Sequence, residues 1–136
     1  MNWRLPSTVR AMVAVVCAAA AMTLSSAPAL AQARTLEVCG GSCAFSSVGA
    51  ALAAAVDGDT VLVHGGTYRE GPLVIDKRIT LEGVDWPVLD GELQHGILTV
   101  AANDVVVRGL VLRDAGRSHL VDIAAIRVEE VENCLI

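Results

Sequence analysis

Aromatic residues are scarce in this chain: two Trp, one Tyr and one Phe among 136 residues. A surface that stacks nucleobases needs ring faces, and this chain has few to offer. Positive charge is scarce as well. Two of the ten Lys and Arg, Arg4 and Arg10, fall in the first stretch, which leaves eight against all fifteen Asp and Glu beyond residue 31. A balance of about −7 there disfavours nucleic acid and anionic lipid as partners. The sequence also lacks a Ser-His-Asp arrangement, a phosphate-cradling loop, an HExxH pair and zinc-finger spacing.

No apolar run reaches the roughly 20 residues that a membrane span needs. The longest nearly uncharged stretch, Ala11 to Leu24, follows Arg4 and Arg10 and is followed by Ser25-Ser26-Ala27-Pro28-Ala29-Leu30-Ala31. A basic start, a short apolar segment and an Ala-x-Ala end read as a secretory signal peptide over 1–31, cleaved after Ala31 or, as a competing site, Ala33. The mature chain is then periplasmic or secreted, with no membrane span after cleavage. Val16 before Cys17 is not the small residue that lipidation requires, so Cys17 leaves with the signal.

Three cysteines remain. Cys39-Gly40-Gly41-Ser42-Cys43 closes a tight loop. An oxidising compartment favours a disulfide there, which contributes about 2 kcal/mol by chain entropy. The alternative is a pair of thiolates for a soft metal such as Cu(I). Cys134 falls on the inward register of Val105 and is expected as a buried, inert thiol.

What the chain has in abundance is repetition. Leu73-Val74-Ile75 lines up with Leu98-Thr99-Val100 at a spacing of 25, and Ile79 with Val105 and Gly83 with Gly109 at 26. A further copy runs from Ile126-Arg127-Val128 to Cys134-Leu135-Ile136 at 28 to 29. Such spacing marks stacked supersecondary units. Units built of short strands predict an all-β coiled solenoid whose repeats contact their neighbours.

Strands are expected at Thr35–Val38, Thr60–His64, Leu73–Asp76, Ile79–Glu82, Val88–Leu89, Ile97–Val100, Val105–Arg108, Leu110–Arg113 and Ala125–Val128. Alternation turns Leu73, Ile75, Ile79, Leu81, Leu98, Val100, Val105, Val107, Ile126 and Val128 inward, and Thr80, Thr99, Val106, Arg108 and Arg127 outward. Gly83 and Gly109 are expected at corners with positive φ. Ser46 and Ser47 precede an Ala-rich stretch with an apolar stripe at Val48, Ala51, Leu52 and Ala55, which predicts a short helix over 46–56. Laid across the open end of the solenoid, it covers core and strand edges. Ile136 falls inside an unfinished repeat, so residues 32–136 are expected to be the N-terminal part of a longer β-helix domain, with roughly three coils here.

The longest polar interruption holds the candidate site: Arg113, Asp114, Arg117, His119 and Asp122. These side chains suit a carboxylated sugar, and His119 with Asp122 suits a metal; a solvated connection is the alternative. Asp90 and Asp114 follow strands in successive coils, as an acid and base pair of a glycosidase would. His64, His95 and His119 occupy different points of the repeat, so convergence on one ion is not expected.

Ser47 to Val63, with Gly58-Asp59-Thr60 and then Gly66-Thr67-Tyr68, resembles the opening of exported right-handed parallel β-helix proteins of the pectin-lyase-like kind, where Gly-Asp-Thr and Gly-x-Tyr form structural turns. Gly71 to Gly83, Pro87-Val88-Leu89-Asp90-Gly91 and Val105 to Leu110 are similar to the periplasmic nitrous oxide reductase maturation family (the NosD type), with its carbohydrate-binding and sugar-hydrolase-type repeats. The resemblance covers roughly residues 35–136. It implies a non-catalytic accessory protein for copper-centre assembly, with copper, nitrous oxide reductase and a copper-related ABC transporter as associates. Two alternatives stand beside it: a polysaccharide lyase, hydrolase or epimerase of the pectate-lyase-like class, and a repeat protein that binds glycans or partner proteins.

Overall fold

A computed structural model describes residues 32–118, 120 and 123–136. The stretch 1–31 expected as a signal peptide, with Cys17, lies outside the described residues, as do His119 and Asp122. Ten short strands and one helix follow in order: β1 (Thr35–Val38), α1 (Val48–Ala54), β2 (Thr60–Val63), β3 (Thr67–Tyr68), β4 (Leu73–Ile75), β5 (Thr80–Gly83), β6 (Val88–Asp90), β7 (Leu98–Val100), β8 (Val106–Arg108), β9 (Val111–Arg113) and β10 (Ile126–Val128). They form three parallel sheets, β1-β2-β5-β8, β3-β6-β9 and β4-β7-β10. From β2 onward each turn of the chain contributes one strand to each sheet in succession, which makes a parallel β-solenoid. The first sheet has four rungs because β1 begins a turn before β2, one more than the three coils expected.

The repeat spacing is the strand register. Leu73 pairs with Leu98 and Leu98 with Ile126, and Thr80 pairs with Val106, as the alignment of copies requires. Inward positions stack as Val61, Leu81 and Val107, and as Ile75 and Val100, all buried. Each fully buried aliphatic contributes about 1.5–3 kcal/mol. Thr80, Thr99 and Val106 are half-buried, while Arg108 and Arg127 are exposed. The register weakens at the last rung: Ile126 is half-buried, Val128 is 48% exposed and Cys134 is half-buried rather than enclosed.

Two corrections have clear causes. Gly66-Thr67-Tyr68, expected as a turn, holds β3, a two-residue strand too short to show alternation. Gly109 has φ +71, as a corner requires, but Gly83 does not have a positive φ. Gly83 is needed for space: a Cβ there would collide with the Gly109 carbonyl and approach Pro87 Cδ to 2.8 Å. The two glycines let successive corners stack backbone on backbone.

Helix α1 spans Val48–Ala54, narrower than 46–56, with Val48, Ala51, Leu52 and Ala55 buried as the stripe predicts. Ser47 is the N-cap, and its Oγ accepts from the Ala50 N–H at 3.1 Å. Glu70, from the next turn, accepts the Val48 and Gly49 N–H groups at 2.7 Å each. At the other end the Lys77 ammonium donates to the Leu52 carbonyl at 3.1 Å. An anion at the positive end and a cation at the negative end both favour the helix dipole, so the cap is fastened by charges from the coil below it.

Replacing Leu81 with Ala should lower the unfolding free energy by about 2–5 kcal/mol, whereas Val74→Ala, on an exposed outward position, should change it by less than about 0.5 kcal/mol. Gly83→Ala should destabilise far more than Gly71→Ala, where a Cβ meets open space. Urea titrations followed by circular dichroism measure all four.

Candidate functional site

The expected polar segment begins where β9 ends. Strand pairing sets Arg113 directly opposite Asp90, and Gly91 donates its N–H to the Arg113 carbonyl at 2.9 Å. The side chains follow the backbone: Arg113 Nη2 lies 2.8 Å from Asp90 Oδ2, while Asp90 Oδ1 accepts from the Glu92 N–H at 2.9 Å. Arg69, one residue past β3, approaches the same carboxylate at 3.8 Å, and Asp114 meets Arg113 Nε at 3.2 Å. Three successive coils thus contribute Arg69, Asp90 and Arg113 to one ladder.

Asp90 is 6% exposed, so its charge depends on these partners. The hydrogen bond from Arg113, then that from the Glu92 backbone, holds its carboxyl below the usual aspartate range against the cost of burial. Arg113 is correspondingly pushed up by Asp90. A carboxyl held as the anion cannot donate a proton near neutral pH. The Asp90 and Asp114 carboxylates are therefore bridged by the Arg113 guanidinium, with Asp90 held as the anion.

The neighbouring backbone bonds between coils too. Leu93 donates to the Asp114 carbonyl at 2.7 Å, Gly116 donates to the His95 carbonyl at 2.8 Å, and a Cβ on Gly91 or Gly116 would strike the adjacent coil's backbone. Of the five residues expected at the site, Arg113 and Asp114 are brought together and Arg117 is exposed. His119 and Asp122 are outside the described residues.

Gly58-Asp59-Thr60 also has a structural role. Asp59 is 1% exposed and receives the Arg34 guanidinium at 2.9 Å, the Arg34 N–H at 2.9 Å and the Val56 N–H at 3.0 Å. These bonds, the Arg34 side chain first, hold its carboxyl down to about 2 from the ordinary 3.8.

A separate cleft of about 260 Å³ is lined by Asp57, Asp76, Lys77, Arg78, Asn103 and Asp104 among others, where Arg78 lies between Asp57 at 3.8 Å and Asp104 at 3.9 Å. Arg78 links charges of successive coils there, while Lys77 pairs with its neighbour Asp76 at 3.5 Å. The metal-ligating side chains that converge among the described residues are Glu37, Cys43 and His64, with ligand atoms within 4.8 Å of one another. Sequence reasoning treated these separately. Aligning Thr35–Val38 on Thr60–Val63, at a spacing of 25, would have set His64 beside Cys39. His95 is elsewhere, its Nδ1 2.9 Å from the Gly96 carbonyl.

Comparison with known proteins finds no family model, no curated protein and no solved structure that matches this chain. No helix among the described residues is long and apolar enough to cross a membrane.

Both aspartates have depressed values in the folded state. Their stabilisation is complete above the unfolded value near 3.8 and is lost as pH falls through the folded values, toward about 2 for Asp59. Asp90→Asn should lower the urea midpoint at pH 7, and its gap from the parent should narrow as pH falls from 4 to 2. A constant gap across that range would show that the charge at Asp90 does not matter.

Proposed function

We propose that this chain is an exported, non-catalytic β-helix accessory protein that assists copper-centre assembly of nitrous oxide reductase in the periplasm. The observation that carries the non-catalytic part is the engagement of Asp90: its carboxylate is buried, ion-paired and hydrogen-bonded, so the strongest candidate for a catalytic acid serves coil-to-coil adhesion. The corners around Gly91 and Gly116 stack backbone on backbone, which suits a scaffold. The assembly role is supported by sequence resemblance over roughly residues 35–136, and export by the signal-like stretch before Gln32. A right-handed coil is the hand that parallel crossover connections adopt in nearly all cases. Association with the reductase and a copper-related transporter follows from the same resemblance.

Deleting the gene should yield nitrous oxide reductase deficient in copper, measured by metal analysis of the purified enzyme, and the full-length protein should restore it. A reductase that remains fully metallated ends this proposal. Incubation with uronic-acid polymers should give neither unsaturated products nor shortened chains. Turnover there would favour the polysaccharide enzyme instead.

A further inference from the structure

The end of β1 carries a group of side chains that the scaffold does not use. Glu37 points outward from β1, and His64 follows β2, whose pairing with β1 brings Val63 opposite Val38. His64 donates its N–H to the Val38 carbonyl at 2.9 Å, and its own carbonyl accepts the Tyr68 hydroxyl at 2.8 Å, so its backbone is fixed on both sides. The imidazole Nε2 is buried without a hydrogen-bond partner. The nearest carboxylate oxygen, Glu37 Oε2, is 3.5 Å away. Buried polar atoms in folded proteins are nearly always satisfied, and one left over calls for an explanation.

Cys43 supplies it. Its Sγ lies in the same group, within 4.8 Å of both ligand atoms, and is bonded to Cys39 in a disulfide. The loop between them is open: Gly40, Gly41 and Ser42 are exposed, and a Cβ on either glycine would touch nothing within 4 Å. The glycines are thus required neither by crowding nor by positive φ in the disulfide form, and they leave the loop free to close around something else.

We propose that Cys39, Cys43, His64 and Glu37 form a thiol-gated zinc site, shut as the disulfide and opened by reduction. This inference does not depend on the assembly role. The reductant is a dithiol. Its thiolate attacks the Cys39–Cys43 bond, two electrons pass to the cysteines, the dithiol's two protons go with them, and it leaves as a disulfide. Zinc then displaces two protons as both thiolates bind. In a tetrahedral zinc site, sulfur at about 2.3 Å and nitrogen at about 2.0 Å are separated by roughly 3.6 Å. Glu37, Cys43 and His64 need to draw together by about an ångström, and Cys39, held beside Cys43 by the disulfide, adds its sulfur once that bond opens. Two thiolates with an imidazole and a carboxylate suit zinc better than Cu(I), whose preference is for the softer ligands alone.

The test uses the full chain with Cys17 and Cys134 replaced by Ser, so that no other thiol reports. Reduced anaerobically and titrated with Co(II), it should bind one equivalent with a thiolate-to-cobalt charge-transfer band and the intense visible bands of tetrahedral cobalt. Zinc should abolish both, and the oxidised chain should show neither. His64→Ala should weaken binding by at least about tenfold, the scale on which even outer-shell losses are felt, and Glu37→Gln by less. X-ray absorption of the zinc-loaded parent should show two sulfur and two nitrogen or oxygen neighbours, whatever the folding of the variants. Absence of the thiolate band in the reduced chain, a shell without sulfur, or an unchanged affinity and spectrum in a folded His64→Ala variant would each overturn the proposal.

Discussion

Every strand among the described residues is three or four residues long, or two in β3, and has little stability by itself. Its N–H and C=O groups must find partners on the coils before and after it, since unpaired backbone groups away from water are costly. Coil-to-coil parallel pairing is therefore the constraint from which the rest follows. It requires equivalent positions to recur after each circuit, it puts aliphatic side chains on one another inside, and at the corners it brings backbones so close that Gly83 and Gly109 admit no side chain. Circuits of different length are tolerated because the extra residues go into the connections. Thr60 to Thr80 is 20 residues, and Thr80 to Val106 is 26.

The charges obey the same axis. Glu82 and Arg108 meet at 2.8 Å across one sheet and Asp90 and Arg113 at 2.8 Å across another, while Arg34 reaches Asp59 and Glu70 and Lys77 hold the ends of α1. The exposed pairs contribute little stability. The two buried aspartates matter more, because removing a partner would leave a charge stranded from water. Polar residues that look like reactive groups in one dimension are in large part fastenings between layers. The Glu37, Cys43 and His64 group differs, because its geometry leaves the His64 Nε2 without a hydrogen bond, 3.5 Å from Glu37 Oε2.

The polar segment after β9 shows why site residues are harder to read than the fold. Asp90 and Asp114 are offset by 24 and look like equivalent carboxylates, yet the pairing of β6 with β9 sets Asp90 opposite Arg113, an offset of 23. One residue of register sets a guanidinium, and not a second carboxylate, opposite Asp90. The sequence has no means of announcing that offset, because β3 and β6 are too short for alternation to define it.

Sequence alone determined the alternation, the 25- to 29-residue period of the later coils, the apolar stripe of α1 and the inward residues from Leu73 to Val107. Each of these depends on local stereochemistry: strands alternate faces, helices repeat every 3.6 residues, and water excludes the apolar set. Tertiary structure decided the position of β3, the reason for Gly83, the anionic state of Asp90 and the meeting of Glu37, Cys43 and His64. Those depend on which residue of one coil lies over which residue of the next. That register is set by the summed packing and hydrogen bonding of whole coils, and no short stretch of the chain contains it.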